Sequence, residues 1–515
     1  MRRPQRGFII NTYRFGAAAA TYSSTILADA PLGYWRLGES SGTVAADSSG
    51  NARDGTYVNA PTLAQTGLNA GDAATSVSFN GTTQYVEIAY AAWMNVTAFS
   101  VSGLVNPTAS DVSLLARRQT NDATRQVFHV RGQSRTALLS NATATYEEPY
   151  GPSTLAHNYG ATAHVAQTFD GSIVTSYRNG SITFKGELGV TLNQPTNTAM
   201  RIAATQSDIG GTASEFEDGK IQDVAFFGSG LTKAKIQAQA TAAGVTVSDP
   251  TFNSAGTTAR CQLSLRAVNG YTGALIDVRR SSDNATRTIN VASGELDTAD
   301  LASWGGSDSV YVSKWYDQSG NLHHFEQATN GSQPRIVNAG TLETQGGDPV
   351  INCIAGTYLR EATSLLGTTD SFTIMRVTDT CGIGRGQDTF GDGWSIACGV
   401  VLSGTVDNAL VLTATGAAQV SYLYTHATSF GSKCFRVVNS AGASKLHVDQ
   451  SGVQRGLVSE STNSSLRTST VGMEIGRFNG GNASGKMGEC FIWRSVVDHG
   501  VINAIHDSAA TRFGF

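Results

Sequence analysis

The segment Lys314–Val337 combines residue types that could carry out acid-base chemistry. Its polar positions are Tyr316-Asp317-Gln318-Ser319-Gly320-Asn321, followed by His323, His324 and Glu326. Carboxylates and imidazoles at such spacing could serve as general acids and bases. The alternative is a rigid turn, because an Asp side chain accepts an N–H two residues on and a Gly-Asn pair tolerates positive φ. The turn is favoured, and no cysteine or third histidine stands at the spacing of metal ligands.

Composition indicates a sheet protein with many turns. The chain has 515 residues, which is enough for two or three domains. It contains 57 glycines and 10 prolines, and only 15% of its residues are charged. The net charge of −4 gives no reason to expect a nucleic-acid partner. No stretch approaches the roughly 20 apolar residues of a transmembrane helix, so no membrane partner is predicted.

No export signal is predicted at the N-terminus. Asn11, Thr12 and Arg14 interrupt the apolar run that a signal peptide requires. We therefore expect reduced, buried thiols at the six cysteines, Cys261, Cys353, Cys381, Cys398, Cys434 and Cys490. None forms a Cys-x-x-Cys pair, so neither a structural metal nor a cofactor is predicted.

Strand patterns cover most of the chain. The clearest predicted strands are Phe99–Val105, Ser172–Arg178, Ser371–Val377 and Lys433–Val438, and Asn179-Gly180 predicts a hairpin turn. Helical periodicity is confined to Thr232–Ala240 and Gly500–His506. Little apolar pattern remains between residues 242 and 260, which predicts a linker at 244–258.

Three pairs of motifs recur in the same order in both halves. The pairs are Asp47–Asn51 with Asp317–Asn321, Tyr177–Gly180 with His447–Gly452, and Gly219–Phe227 with Gly485–Trp493. The last pair shares Gly-Lys-apolar-x-acid-x-x-apolar-aromatic and precedes a short helix in each half. The chain is therefore predicted to be two copies of one fold.

Residues 25–243 resemble a laminin-G-like, concanavalin A-like jelly roll. The elements that carry the resemblance are Tyr34–Glu39, Ala46–Asn51, Gly55–Tyr57, Val77–Gly81, Tyr85-Val86, His164–Gly171 and Gly219–Val224. The resemblance implies an antiparallel β-sandwich, and many members of that class bind carbohydrate or protein surfaces.

Residues 259–515 resemble the catalytic domain of fungal-type α-L-arabinofuranosidases, also a concanavalin-like sandwich. Tyr316–Asn321 and Glu326–Ala328 carry this likeness, while Arg279–Asn284, Gly294–Asp297 and Gln333–Val337 are similar to a phage-tail branch of the fold. The two resemblances together predict an all-β protein of two tandem concanavalin A-like antiparallel sandwiches, each ending in a short helix.

The same resemblance implies where catalytic carboxyls would stand. In this resemblance Ser395 aligns with the nucleophilic Glu of the enzymes, and Phe478 aligns with their acid, an Asp. Asp392 and Glu474 are close by in sequence. A retaining glycosidase needs two carboxyls about 5 Å apart. No catalytic residue is therefore predicted. If a glycan site exists in this half, its predicted ligand-binding residues are Asp392, Trp394 and Asn479, unless Trp394 is a core residue.

These features predict a structural or adhesion protein of a bacteriophage particle, assembled in the host cytoplasm. Its predicted partners are other virion proteins, possible host-surface glycan and further copies of itself. The first alternative is a glycoside hydrolase acting on arabinofuranosides with an accessory carbohydrate-binding domain. A bacterial surface adhesin is the second alternative, and the missing export signal disfavours it.

An attachment arm is predicted at residues 1–24. Its proposed partner-binding residues are basic or apolar, namely Arg2, Arg3, Arg6, Phe8, Ile9, Ile10, Tyr13, Arg14 and Phe15. Exposed apolar residues are unfavourable in a free tail, so the arm should dock on a partner. The alternative is that it packs on its own first domain. Trp35 and Trp493 are predicted to be core residues and not sugar platforms.

Overall fold

The computed structural model describes most of the chain beyond residue 19. The described residues are 20–70, 72–108, 113–118, 127–131, 137–139, 146–147, 160–187, 191–206, 212–255, 258–363, 365–366, 371–381, 383–385, 396–401, 406–412, 419–425, 431–440, 443–450, 453–461, 473–478, 481–482 and 484–515.

Strands dominate the first half. In chain order they are β1 Gly33–Trp35, β2 Val44–Ala45, β3 Gly55–Val58, β4 Thr62–Gln65, β5 Ser76–Asn80, β6 Tyr85–Ile88, β7 Phe99–Pro107, β8 Ser113–Arg117, β9 Phe128–Arg131, β10 Ala137–Leu139, β11 Tyr146–Glu147, β12 Ala163–Phe169, β13 Ile173–Arg178, β14 Ser181–Glu187, β15 Met200–Ile202, β16 Thr205–Gln206, β17 Ala213–Ser214 and β18 Asp218–Phe227. Helices α1 Tyr22–Ala28 and α2 Lys233–Ala242 flank them.

The second half is also mostly strand. Its strands are β19 Cys261–Ser264, β20 Ala274–Arg280, β21 Thr286–Ala292, β22 Glu295–Leu296, β23 Val310–Trp315, β24 Phe325–Glu326, β25 Arg335–Asn338, β26 Thr341–Leu342, β27 Thr344–Gln345, β28 Asp348–Pro349, β29 Ile351–Cys353, β30 Leu359–Arg360, β31 Phe372–Thr378, β32 Ile383–Arg385, β33 Ile396–Val401, β34 Val406–Leu412, β35 Gln419–Thr425, β36 Gly431–Ser440, β37 Ala443–Gln450, β38 Val453–Ser461, β39 Met473–Ile475, β40 Arg477–Phe478, β41 Gly481–Asn482 and β42 Gly485–Trp493. Its helices are α3 Phe252–Ala255, α4 Thr298–Gly305 and α5 His499–Phe513.

The first half is an antiparallel sandwich. In its first sheet, β1 and β5 pair with one edge of β18, and the other edge leads through β7, β12 and β13 to β14. The second sheet has the order β2-β3-β6-β15-β8-β9-β10-β11. The core between them takes residues from both sheets, such as Phe99 and Phe226 from the first and Val86 and Ile202 from the second.

The second half builds an equivalent first sheet and then curls. Strands β19 and β29 pair with one edge of β42, and β31, β36, β37 and β38 follow the other edge in the order of the first half. A second ladder runs through β21, β20, β23, β24, β30, β39, β32, β33, β34 and β35. Because β25 pairs with both β23 and β29, the two ladders form one curled sheet.

The repeated closing motif has a physical reason in both copies. Gly219, the second residue of β18, and Gly485, the first of β42, have φ of 147° and 149°. A Cβ at Gly219 would lie 2.5 Å from the Asn106 carbonyl oxygen, and one at Gly485 would lie 2.5 Å from the Cys381 nitrogen. Glycine is therefore required twice by the same close approach of backbones.

The helices agree with the sequence only in part. Helices α2 and α5 are at the predicted positions, but α1, α3 and α4 were not predicted. The predicted boundary between residues 24 and 25 lies inside α1, whose Tyr22 and Ile26 are buried. The predicted linker 244–258 contains α3, which packs beside α5, and Phe252 lies edge-on to Phe491.

Two further predictions are confirmed by burial. Trp35 and Trp493 are both fully buried. Cys261, Cys353, Cys381, Cys434 and Cys490 are free and buried, and the Cys398 side chain lies outside the described part. No helix in the described residues has the length and apolar character needed to cross a membrane.

Candidate functional site

The polar segment around Asp317 is a turn. Its carboxylate accepts hydrogen bonds from Gln262 N at 2.8 Å, Ser319 N at 2.9 Å, Ser319 Oγ at 2.7 Å and His323 N at 3.0 Å. Gly320 takes φ of 84°. These bonds occupy both carboxylate oxygens, so Asp317 ties the turn to β19. The predicted turn is confirmed.

The first copy repeats this turn bond for bond. Asp47 accepts from Tyr34 N at 3.0 Å, Ser49 N at 2.8 Å, Ser49 Oγ at 2.8 Å and Arg53 N at 2.9 Å. Arg53 stands six residues after Asp47, as His323 does after Asp317. The repeated polar motif is thus structural in both halves.

The two histidines after the turn also have packing roles. His324 Nδ1 accepts the Asp317 N–H at 3.0 Å, and burial followed by the Lys314 ammonium lowers the pKa of His324. His323 Nδ1 lies 3.2 Å from Glu361 Oε1 inside the domain. Among the described residues no cluster of His, Cys, Asp and Glu could hold a metal ion.

A row of charged residues of alternating sign crosses the second ladder of the second half. The residues that face one another on successive strands are Asp277, Lys314, Glu326, Arg360 and Glu474. We call this set the charged row. Lys314 Nζ lies 2.8 Å from Glu326 Oε1, and Arg360 Nε donates to Glu474 Oε1 at 2.8 Å.

The charged row faces away from the core. Each member precedes or follows a core residue of the same strand, namely Ile276, Trp315, Phe325, Leu359 and Ile475. Successive side chains of a strand point to opposite faces, so the row is on the outer face of the sheet. The Glu326 and Arg360 side chains are 56% and 43% exposed, whereas the Glu474 side chain is only 3% exposed.

Two tyrosines lie beside the charged row. Lys314 Nζ stands 4.8 Å from the centre of the Tyr316 ring, and the Arg360 guanidinium stands 5.7 Å from that of Tyr358. The Tyr316 hydroxyl donates to Asp277 Oδ2 at 2.9 Å. Burial, together with this bond, raises the pKa of Tyr316 to about 12. The face therefore offers fixed carboxylate acceptors next to aromatic surfaces.

The first half carries the equivalent ion pair with its signs exchanged. Glu87 on β6 faces Arg201 on β15, and Arg201 NH2 lies 2.8 Å from Glu87 Oε2. The Arg201 guanidinium stands 4.8 Å from the ring of Tyr85, which is two residues before Glu87, as Tyr358 is before Arg360. Both copies thus place an ion pair beside a tyrosine on an outer face, that of the second sheet in the first half and that of the second ladder in the second half.

The predicted ligand-binding residues are not in the described part of the chain. Asp392 and Trp394 belong to 386–395, the connection between β32 and β33, and Asn479 belongs to the connection between β40 and β41. Of the catalytic positions, Ser395 is also outside the described part, and only the backbone of Phe478 is described. The charged row ends beside β32, because Glu474 faces Gly384 on that strand.

The arm residues Arg2, Arg3, Arg6, Phe8, Ile9, Ile10, Tyr13, Arg14 and Phe15 lie outside the described residues as well. Their role in binding a partner stays a prediction.

Sequence reasoning missed the charged row. Each strand contributes one charged residue, and the two residues of the Arg360–Glu474 pair are 114 positions apart. The only local signal was an alternating pattern with a charge on the polar side, which most half-exposed strands share.

Buried acids of the closing motif serve the fold. Asp223 and Glu489 occupy the same position in the two copies and are both fully buried. Asp223 accepts the Tyr34 hydroxyl at 2.6 Å, and Glu489 lies 2.7 Å from Arg266 Nε. Burial raises the pKa of Asp223 in spite of these partners. Neither acid reaches the charged row, so neither is a candidate for chemistry there.

Comparison with family models divides the chain in two. Residues 80–237 match the model described as concanavalin A-like lectin/glucanases superfamily, and residues 251–351 match that of alpha-L-arabinofuranosidase B, catalytic. The chain therefore carries a concanavalin A-like, laminin-G-type domain followed by an arabinofuranosidase-like domain. No curated protein matches the sequence.

Solved structures that resemble the chain are distant. A GH54 α-L-arabinofuranosidase is 16% identical, with a TM-score of 0.36, over 52% of this chain and 66% of that one. Domain 4 of an extracellular GH43 arabinanase from Geobacillus stearothermophilus is 16% identical, with a TM-score of 0.32, over 41% of this chain and 98% of that one. Trypanosoma rangeli sialidase is 13% identical, with a TM-score of 0.30, over 41% of this chain and 32% of that one. The chain thus spans just under two thirds of the GH54 enzyme.

Proposed function

We propose that the protein is a non-hydrolytic, glycan-contacting structural protein of a bacteriophage particle, built as two tandem concanavalin A-like jelly rolls. The charged row and its tyrosines carry the glycan part of this proposal. Sugar hydroxyls donate well to carboxylates, and the apolar face of a sugar ring packs on an aromatic side chain. The Lys314 pair fixes the exposed Glu326 acceptor, and buried Glu474 fixes the exposed Arg360 donor, before a ligand arrives, which lowers the entropy cost of binding.

The ion pairs of the charged-row carboxylates favour binding without hydrolysis. A glycosidase needs one carboxyl as an acid or nucleophile and a second carboxyl on the other side of the scissile bond. Glu326 and Glu474 lie on either side of β30, but each is held by a cation, and Arg360 stands between them in the row. This arrangement favours recognition over proton transfer.

The particle setting rests on sequence likeness together with one hydrogen-bond network. Two of the three phage-tail-like segments meet in space, because Arg279 Nε donates to Gln333 Oε1 at 2.7 Å, and Arg279 NH1 also donates to Asn284 Oδ1 of its own segment at 2.9 Å. Mass spectrometry of purified particles should detect the protein in stoichiometric amount, and its absence from them would contradict the setting.

The second candidate function is hydrolysis of arabinofuranosides, favoured by the match of residues 251–351 to an arabinofuranosidase catalytic model. We expect no turnover of aryl α-L-arabinofuranosides above the buffer rate, because Ser395 and Phe478 stand where the resemblance requires carboxyls. Release of nitrophenol from purified protein is the measurement. Hydrolysis that disappears in Glu474→Gln or Asp392→Asn would establish the enzyme and overturn the non-hydrolytic proposal.

Glycan binding by the charged row can be tested with two substitutions. We expect Tyr358→Ala and Arg360→Ala to weaken binding of arabino-oligosaccharides by roughly tenfold, equivalent to about 1.4 kcal/mol. Tyr358→Ala removes the proposed stacking surface, and Arg360→Ala removes the exposed donor that Glu474 holds in place. Isothermal titration measures the affinity. Equal loss in the control Arg287→Ala, whose exposed pair with Asp300 lies off the row, would count against a local site.

A further inference from the structure

A groove lies between α1 and α2 on the first half. It encloses about 600 Å³ and is lined by Ala20, Thr21, Thr25, Ala238, Thr241 and Ala242. We call it the α1–α2 groove. Its lining is made of small residues and is mainly apolar, and Ala20 is the point at which the chain enters the described structure.

The second half contains the same helix pair. Thr21 precedes α1 and Thr251 precedes α3, and the hydroxyl of each accepts the N–H three residues on, at 3.2 Å in Ser24 and 3.1 Å in Ser254. The partner helices are equivalent too, since Ile236 of α2 and Ile502 of α5 each stand nine residues after the last residue of the repeated closing strand and are fully buried. Positions 20, 21 and 238 therefore correspond to 250, 251 and 504.

In the second half the equivalent place is filled. A cavity of only about 160 Å³ remains there, lined by Pro250, Thr251, Gly500 and Ala504 among others. A Cβ at Gly500 would lie 2.9 Å from the Ile182 carbonyl oxygen and 3.3 Å from Pro250 Cγ. The residues that occupy this place belong to the segment directly before α3, which contributes Pro250, and to the β13–β14 hairpin of the first half, which contributes Ile182.

The segment before α1 has the composition to fill the first groove. Counting back from the matched threonines, Phe15 corresponds to Val245, which packs partly buried against the α1–α2 core. Phe8, Ile9, Ile10 and Tyr13 precede it. The arm also lies next to the groove in sequence, because Ala20, which lines the groove, directly follows residue 19.

We propose that residues 1–19 of the N-terminal arm dock in the α1–α2 groove of their own first domain. Phe15 and the apolar residues before it cover the small side chains of α2, as Pro250 and Ile182 lie against α5 at Gly500. Such docking corresponds to the alternative given by the sequence, in which the arm packs on its own first domain. It does not depend on the proposed glycan contact.

Limited trypsin digestion tests the docking at Arg14. In the intact protein, cleavage after Arg14 should be roughly tenfold slower than in a variant with a blocked groove, because proteolysis follows the population of the undocked arm. Ala238→Glu blocks the groove with a charge on an exposed helix position. Ala234→Glu is the matched control on the same helix outside the groove lining, and it should leave the cleavage rate unchanged.

Hydrogen exchange supplies the second measurement. Deleting residues 1–16 should speed hydrogen exchange of the α2 backbone amides by about the same factor as the change in trypsin cleavage. The exchange rates of the β12 amides should not change. Equal cleavage of wild type and Ala238→Glu, together with unchanged α2 exchange after the deletion, would overturn the proposal. Protection of Arg14 that disappears on dilution would also overturn it, because the groove would then hold the arm of a second copy.

Discussion

Replacing Trp35 with alanine is expected to lower the free energy of unfolding of the first half by about 3–5 kcal/mol, the usual cost of deleting a buried aromatic side chain. Trp35 is fully buried in the sandwich core, and its indole Nε1 donates to the Arg53 carbonyl at 2.8 Å. The ring also packs on Gly33, where a Cβ would lie 2.5 Å from it. Denaturant unfolding measures the change.

The equivalent change in the second half gives a paired test. Trp493 is fully buried beside Phe491, with ring centres 5.8 Å apart, so Trp493→Ala should destabilise its own half by a similar amount. Leu322→Ala is the control, because Leu322 is 75% exposed and contributes little. Retained stability with lost sugar binding in Trp35→Ala would show that the residue is a ligand platform.

The sequence predicted the features that are encoded locally. Asp317 and Asp47 each bond to groups two and six residues on, so the motif itself specifies the turn. The Asn179-Gly180 turn is likewise local, with φ of 51° and 77° joining β13 to β14. Repetition then extended these local predictions to the order of strands in both halves.

Features that depend on strand register were not predictable. Arg360 meets Glu474 only because β30 pairs with β39, and no local pattern specifies that pairing. Glu361 is buried at the position that Ile88 occupies in the first copy, and His323 is its partner. Its sequence neighbours resemble an ordinary strand end, so they do not indicate this burial. Helices α1 and α3 are only seven and four residues long, so tertiary packing and not periodicity determines them.

His164 is placed to make the first half sensitive to acid. It lies on β12, is fully buried, and meets the edge of the Tyr22 ring at 6.0 Å. Neither of its ring nitrogens has a hydrogen-bond partner in the described structure. Burial lowers the pKa of His164 to about 4, so the folded protein keeps the imidazole neutral at physiological pH.

Stability of the first half should therefore fall as the pH drops from about 6.5 to about 4. The unfolded chain takes up a proton at the ordinary histidine pKa of about 6.5, and the folded chain does so only near 4. Between these values the unfolded state binds more protons, so acid favours unfolding, by about 3 kcal/mol in total. Below pH 4 both states are protonated and this contribution stays constant.

Denaturant unfolding across this pH range measures the slope, and two variants identify its source. His164→Phe removes the titrating group while keeping an aromatic ring in the cavity, so its stability should lose this pH dependence. Tyr22→Phe removes only the neighbouring hydroxyl and leaves the imidazole buried, so it should retain the slope of the wild type. If the curves for His164→Phe and the wild type run parallel, another group is responsible for the acid sensitivity. A flat wild-type curve would mean that water reaches the imidazole in the folded state, because only desolvation separates its folded and unfolded pKa values.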